Sequence, residues 1–263
     1  MSASPPRALS DRTMAALSAV EELTTVRERE LASPASGAPV GTLHVLGGER
    51  IAKVVRIGLT VDEIGMDSHM IFAFTAADSA VPHFTLDSVR AGGYLAYHID
   101  LVPRADLGAN LAYTNAVYRP LTPVFEEVRE RFGPSTAAIG PGQHAVMSPW
   151  MLVDRATEEQ FAQMDRYLDR YFEHWRDLLV KGLPGDVPPT LADTDLAVRD
   201  ARNRAALFSP EVDPVWANVA RLIGDAQAAE LRGELLTNDL RATGPPTTGP
   251  PVGDAADGTA THG

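Results

Sequence analysis

The sequence predicts an α/β fold built on a central antiparallel sheet, and two features carry that expectation. Five short β-like segments follow one another with short links: Thr42–Leu46, Ile51–Leu59, His69–Phe74, His83–Val89 and Gly93–Leu101. Neighbours joined this closely pair antiparallel, because a parallel pair needs a long crossover. Beyond Pro103 the pattern changes to helix-length segments that can cover the sheet.

Taken in order, residues 1–10 read as a flexible N-terminus, and Met14, Leu17, Val20 and Leu23 form a helical stripe in a first helix over Asp11–Leu31. Ala32–Gly41, rich in Ser, Pro, Gly and Ala, is a loop leading into the strands. A helix opens at Thr122 with Pro123 in its first turn and runs through Phe125, Val128 and Phe132. A further strand is expected at Ala145–Val153. Thr157 and Gln160 then match a capping box ahead of a long amphipathic helix with Phe161, Met164, Leu168, Phe172, Trp175 and Leu179 on one face.

Two more helices are expected, Leu191–Leu207 and Pro214–Leu236, the second opened by Asp213 and Pro214. Residues 241–263 have no apolar period and read as a disordered Pro/Gly-rich tail. With no internal repeat, residues 11–240 are expected to form a single domain.

Charge and cysteine content exclude several functions. The net charge of −12 and the lack of any Lys/Arg-dense segment argue against nucleic acid and anionic membranes as partners. With no cysteine, the chain cannot hold an iron–sulfur cluster by thiolates, attach a chromophore through a thioether or use a thiol nucleophile. The longest apolar run, Met70–Phe74, is far too short to cross a bilayer, no signal-peptide layout opens the chain, and the cytoplasm is the expected compartment.

Common catalytic signatures are missing as well. Gly47-Gly48, Gly92-Gly93 and Gly140-Pro141-Gly142 lack the spacing of a nucleotide fingerprint. His44, His69, His83, His98, His144 and His174 are scattered without a paired helical spacing, so no metal site is expected. There is no serine-hydrolase elbow, and no motif marks a paired-carboxylate glycosidase site.

The segment MIFAFTAADSAVPHFTLDSVRAGGYLAYHIDLVPR, Met70–Arg104, resembles the central hairpin of ferredoxin-dependent bilin reductases: an apolar strand, a short link, a Pro-x-Phe-x-x-Asp strand, then a strand ending Asp-Leu-x-Pro. MSPWMLVDR, Met147–Arg155, resembles that family's Phe-Ser-Pro-like strand ending in a basic residue. Asp213-Pro214 resembles its Lys-Asp-Pro segment, with Val212 in place of the lysine. Together these span Thr42–Leu236, about three quarters of the chain. Red chlorophyll catabolite reductases belong to the same superfamily.

The resemblance implies a three-layer α/β/α sandwich with the antiparallel sheet in the middle and a biliverdin-like linear tetrapyrrole held between sheet and C-terminal helices. It also implies a radical mechanism in which a reduced 2Fe–2S ferredoxin supplies single electrons and the protein supplies protons, with no bound cofactor. Ferredoxins are acidic, so a local Arg/Lys cluster is expected as their docking face.

Residue roles follow from the same resemblance. Asp87 falls at the family's catalytic aspartate; strand alternation puts it on one face with His83 and Thr85, where desolvation would favour the protonated, proton-donating form. A turn or salt-bridge aspartate is the plainer alternative. Asp213 is the second candidate donor and equally a helix N-cap, a role that would lower its pKa. Met70 stands where one branch has a catalytic histidine, which leaves a substrate-packing role and speaks against that branch's four-electron chemistry. His83 is a further substrate-side candidate. Arg155 matches a propionate-binding position, and Arg199 and Arg202 are candidates for a second propionate, each with a solvated surface charge as alternative. Two other functions stay open: a tetrapyrrole-binding protein without turnover, and an enzyme acting on another hydrophobic ligand in the same cavity.

Overall fold

A computed structural model describes residues 3–240; the tail expected over 241–263 lies outside the described residues. Seven strands, β1 (Thr24–Ala32), β2 (Pro39–Gly47), β3 (Lys53–Val61), β4 (Met66–Phe74), β5 (His83–Ala91), β6 (Tyr94–Val102) and β7 (Leu152–Ala156), form one sheet in sequence order. Every neighbouring pair is antiparallel. The helices are α1 (Pro5–Val20), α2 (Leu111–Val117), α3 (Thr122–Phe132), α4 (Pro141–Val146), α5 (Glu158–Phe161), α6 (Met164–Lys181), α7 (Leu196–Leu207), α8 (Val215–Ile223) and α9 (Asp225–Leu236).

Two apolar layers explain why β4 reads as an unbroken apolar run. Ile71 and Ala73 pack on one side with α1, α2, α3 and α6, whereas Met70, Phe72 and Phe74 pack on the other with α7, α8 and α9. The result is a three-layer α/β/α sandwich around an antiparallel sheet. On the first side α6 buries Tyr167, Leu168, Tyr171, Phe172, Trp175 and Leu178, and the Trp175 indole N–H donates to the Pro82 carbonyl at 2.8 Å. The Thr157 capping box forms, with Thr157 Oγ1 accepting from Gln160 N–H at 3.2 Å and Gln160 Oε1 accepting from Thr157 N–H at 2.9 Å.

Four expectations need correction. The first helix starts at Pro5, inside the segment expected to be flexible, because Ser4 Oγ accepts from Arg7 N–H at 3.2 Å and caps it. It ends at Val20, and from Thr24 onward the expected helix is edge strand β1. Residues 141–146 are helical, so the strand expected at 145–153 is confined to β7, after the Ser148-Pro149 break. The expected helix 214–236 is two helices, parted at Gly224, whose φ of 82° lies in the left-handed region that glycine tolerates.

Candidate functional site

A cavity of about 320 Å³ opens between the sheet and α8, near the lower end of the range of about 300–1,000 Å³ for small-molecule sites. Leu59, Met66 and Met70 from the sheet and Val215, Val219 and Leu222 from α8 give it apolar walls. A narrow inner pocket of about 30 Å³ continues it toward Asp213 and Trp216, and Met70, Asp87, His98 and Val215 line both spaces.

The hairpin of β5 and β6 sets the polar end of this site. Ala91 and Tyr94 close a link of two residues, Gly92-Gly93, so counting outward pairs Asp87 with His98 and Thr85 with Asp100. On its other side Asp87 pairs with Met70 of β4. All five side chains belong to the face turned toward the C-terminal helices, since alternate residues of each strand share a face.

Burial sets the charge state of these groups. Asp87 has its pKa pushed well above the ordinary carboxyl range, first by desolvation and then by the charge of Asp213. Asp213, on the turn before α8, is raised by desolvation, against which the Val215 N–H, donating to Oδ1 at 3.0 Å, pulls it down. His98 is lowered to about 4 by desolvation and is therefore neutral at ordinary pH. Asp100 is pushed up to about 7 by burial, opposed by the Ser148 hydroxyl at 2.5 Å and the Ser148 N–H at 2.9 Å.

Of the residues singled out from sequence, the structure brings Met70, Asp87 and Asp213 together at the cavity. Asp213 faces the inner pocket and accepts the Val215 N–H, but it does not cap α8 as expected: Pro214 is the N-cap of that helix and has no side-chain cap bond. Arg155 is exposed at the sheet edge, its guanidinium 4.8 Å from the ring of Tyr94, which lines the cavity. Arg199 sits elsewhere: it donates to the carbonyls of Pro103 at 2.5 Å and Ala105 at 3.1 Å and borders a separate cleft of about 450 Å³. Arg202 is exposed on α7 and borders neither the cavity nor the inner pocket.

His83 lies outside the cavity. It is held in a buried cluster in which its Nε2 faces Asp200 at 2.7 Å, and Arg104 and Arg204 reach the same carboxylate at 3.1 Å each. Burial, more than the two guanidinium groups, drives its pKa down to about 3. This cluster ties β5 to α7, while Lys53, bonded to Glu234 at 2.8 Å, ties β3 to α9.

Sequence reasoning missed His98, which had been counted among the scattered histidines. The signal that would have found it is the hairpin register, four residues outward from the closing pair Ala91 and Tyr94. Three buried polar atoms without a hydrogen-bond partner among the described residues, Thr85 Oγ1, His98 Nε2 and Trp216 Nε1, belong to residues lining the inner pocket. Buried polar atoms are seldom left unmatched.

No protein-family profile matches the sequence, and no curated protein matches it. Among solved structures, the chain is similar to phytochromobilin synthase from tomato in complex with biliverdin, with a TM-score of 0.68 and 15% sequence identity. The similarity covers 90% of this chain and 84% of that one. At that identity what is shared is the fold.

Proposed function

We propose that this chain is a reductase of a linear tetrapyrrole of the biliverdin kind, with ferredoxin as electron donor and its own carboxyl groups as proton donors. The observation that carries the proposal is the pair Asp87 and Asp213 lining the inner end of one apolar cavity, with Asp87 biased toward its protonated form. The fold shared with a biliverdin-bound protein adds support.

The chemistry asks the protein for little beyond this. Each electron delivered to the bound tetrapyrrole makes it more basic, and a carboxylic acid beside it then transfers a proton; two electrons and two protons reduce one double bond. Asp87, desolvated and next to a second acidic group, holds the proton until the acceptor becomes basic enough to take it. Asp213 is the second donor or the route by which Asp87 regains a proton. The apolar walls exclude water from a reactive radical.

Arg155, at the sheet edge beside Tyr94, suits a propionate, because a guanidinium makes two parallel hydrogen bonds with a carboxylate. Met70, which lines both spaces, cannot transfer protons, and its part is to pack against the ring system. Adding biliverdin under anaerobic conditions should shift its absorption to the red, and reduced ferredoxin should then produce a transient radical and a blue-shifted product. A binding shift without any turnover would replace this reading with that of a carrier.

A further inference from the structure

We infer that His98 is a substrate-contacting residue which, side by side with Asp87, recognises an N–H next to a C=O, the edge that a lactam ring shows at each end of a linear tetrapyrrole. The inference rests on the tetrapyrrole reading above and assigns the group that selects among tetrapyrroles.

The first support is register. Asp87 and His98 are directly opposed on β5 and β6, and such pairs have Cβ atoms about 4.5–5.5 Å apart on the same face. Both line the main cavity and the inner pocket. On the other flank of Asp87 stands Met70, which offers no comparable hydrogen bond, so the polar partner for a ligand held at Asp87 comes from the β6 side.

The second support is an unmet need. His98 Nε2 is buried with no hydrogen-bond partner among the described residues, and Thr85 Oγ1 and Trp216 Nε1 around the same pocket share that condition. The inner pocket, about 30 Å³, admits a carbonyl oxygen or an N–H and excludes a whole ring. A heterocycle seated in the main cavity with one polar edge turned inward would bring an N–H to His98 while its apolar face meets Met70 and Val215.

The complementarity is that of a donor and an acceptor. A protonated Asp87 donates its O–H to the carbonyl, and a neutral imidazole accepts the N–H through one ring nitrogen. A closed porphyrin has pyrrole N–H groups and propionates but no ring carbonyl, so it matches the acceptor and leaves the donor without a partner. The pair should therefore favour open-chain over closed tetrapyrroles.

Binding of biliverdin and of mesoporphyrin to the full chain, followed by absorption, tests this with His98→Phe and His98→Gln. Biliverdin affinity should fall about ten-fold in His98→Phe, the loss expected for one hydrogen bond, and be largely retained in His98→Gln, which keeps an acceptor. Mesoporphyrin should bind the wild type and His98→Phe alike, whether weakly or not at all. Equal losses for both ligands in His98→Phe, or a glutamine variant as weak as the phenylalanine one, would make His98 a packing residue and overturn the inference while the tetrapyrrole reading stands. Failure of the wild type to bind biliverdin would overturn both.

Discussion

Asp213 raises the pKa of Asp87 from the turn ahead of α8, while the Val215 N–H, at 3.0 Å from Asp213 Oδ1, stabilises the charge on Asp213 itself. Two carboxyls in one pocket are thereby pushed apart in acidity. Asp213 is the one disposed to ionise first, and Asp87 the one disposed to keep a proton.

Replacing Asp213 with asparagine removes that charge and should lower the pKa of Asp87. An acid catalyst is active while protonated, so the rate falls as pH rises through its pKa. In Asp213→Asn the fall should therefore begin at a lower pH than in the wild type. The pH profile of bilin reduction, or the carboxyl stretching band in an infrared titration, would report it.

Asp100 provides a separate handle on stability. Its folded pKa of about 7 lies above the ordinary 3.8, so the folded state binds this proton more tightly than the unfolded chain does. The associated stability is present below about pH 4 and is lost as pH rises toward about 7, amounting to at most about 4 kcal/mol. Urea unfolding of Asp100→Asn across that range should show a flatter pH dependence than the wild type.

The His83 cluster should behave as a structural unit. Asp200 is the carboxylate shared by His83, Arg104 and Arg204, so Asp200→Ala leaves two buried guanidinium groups without their counter-charge. The expected cost is about 3–5 kcal/mol, visible as a lower Tm. Folded Asp200→Ala protein at low temperature should still bind a bilin, since the cluster lies outside the cavity.

Arg155 is tested by ligand charge. Arg155→Ala should weaken biliverdin binding by about 1 kcal/mol, the order of an exposed ion pair, and leave the dimethyl ester unaffected. Equal effects on both would assign the guanidinium to packing on Tyr94.

Much of this architecture was legible because β2 to β6 are apolar strands with short links. The edge strand β1 was not, since Arg27, Glu28, Arg29 and Glu30 break any apolar alternation; Arg27 and Arg29 instead pair with Glu234 and Glu230 of α9, about two hundred residues away. Ala145 and Val146, the end of the short helix α4, fall within the strand expected over Ala145–Val153 because neither carries a turn signal. The break at Gly224 was visible only as a glycine inside a helical pattern.

The site divided along the same line. Asp87 and Met70 are marked by the family resemblance, with strand alternation giving the face of Asp87; alternation alone puts His83 on that face too, although it lies outside the cavity. His98 needed the register of a hairpin, and the separation of Arg199 from the cavity depends on carbonyls of Pro103 and Ala105, about a hundred residues earlier in the chain. The joint placement of His83 with Arg204 has the same long-range origin.

The most direct test mixes the biliverdin-loaded protein with reduced ferredoxin anaerobically and follows a single turnover in the wild type and in Asp87→Asn. The account predicts bleaching and a blue-shifted product in the wild type, with the variant binding biliverdin normally and reducing it at least about a hundred-fold more slowly. Equal rates in the two proteins, or no reduction by the wild type, would contradict it.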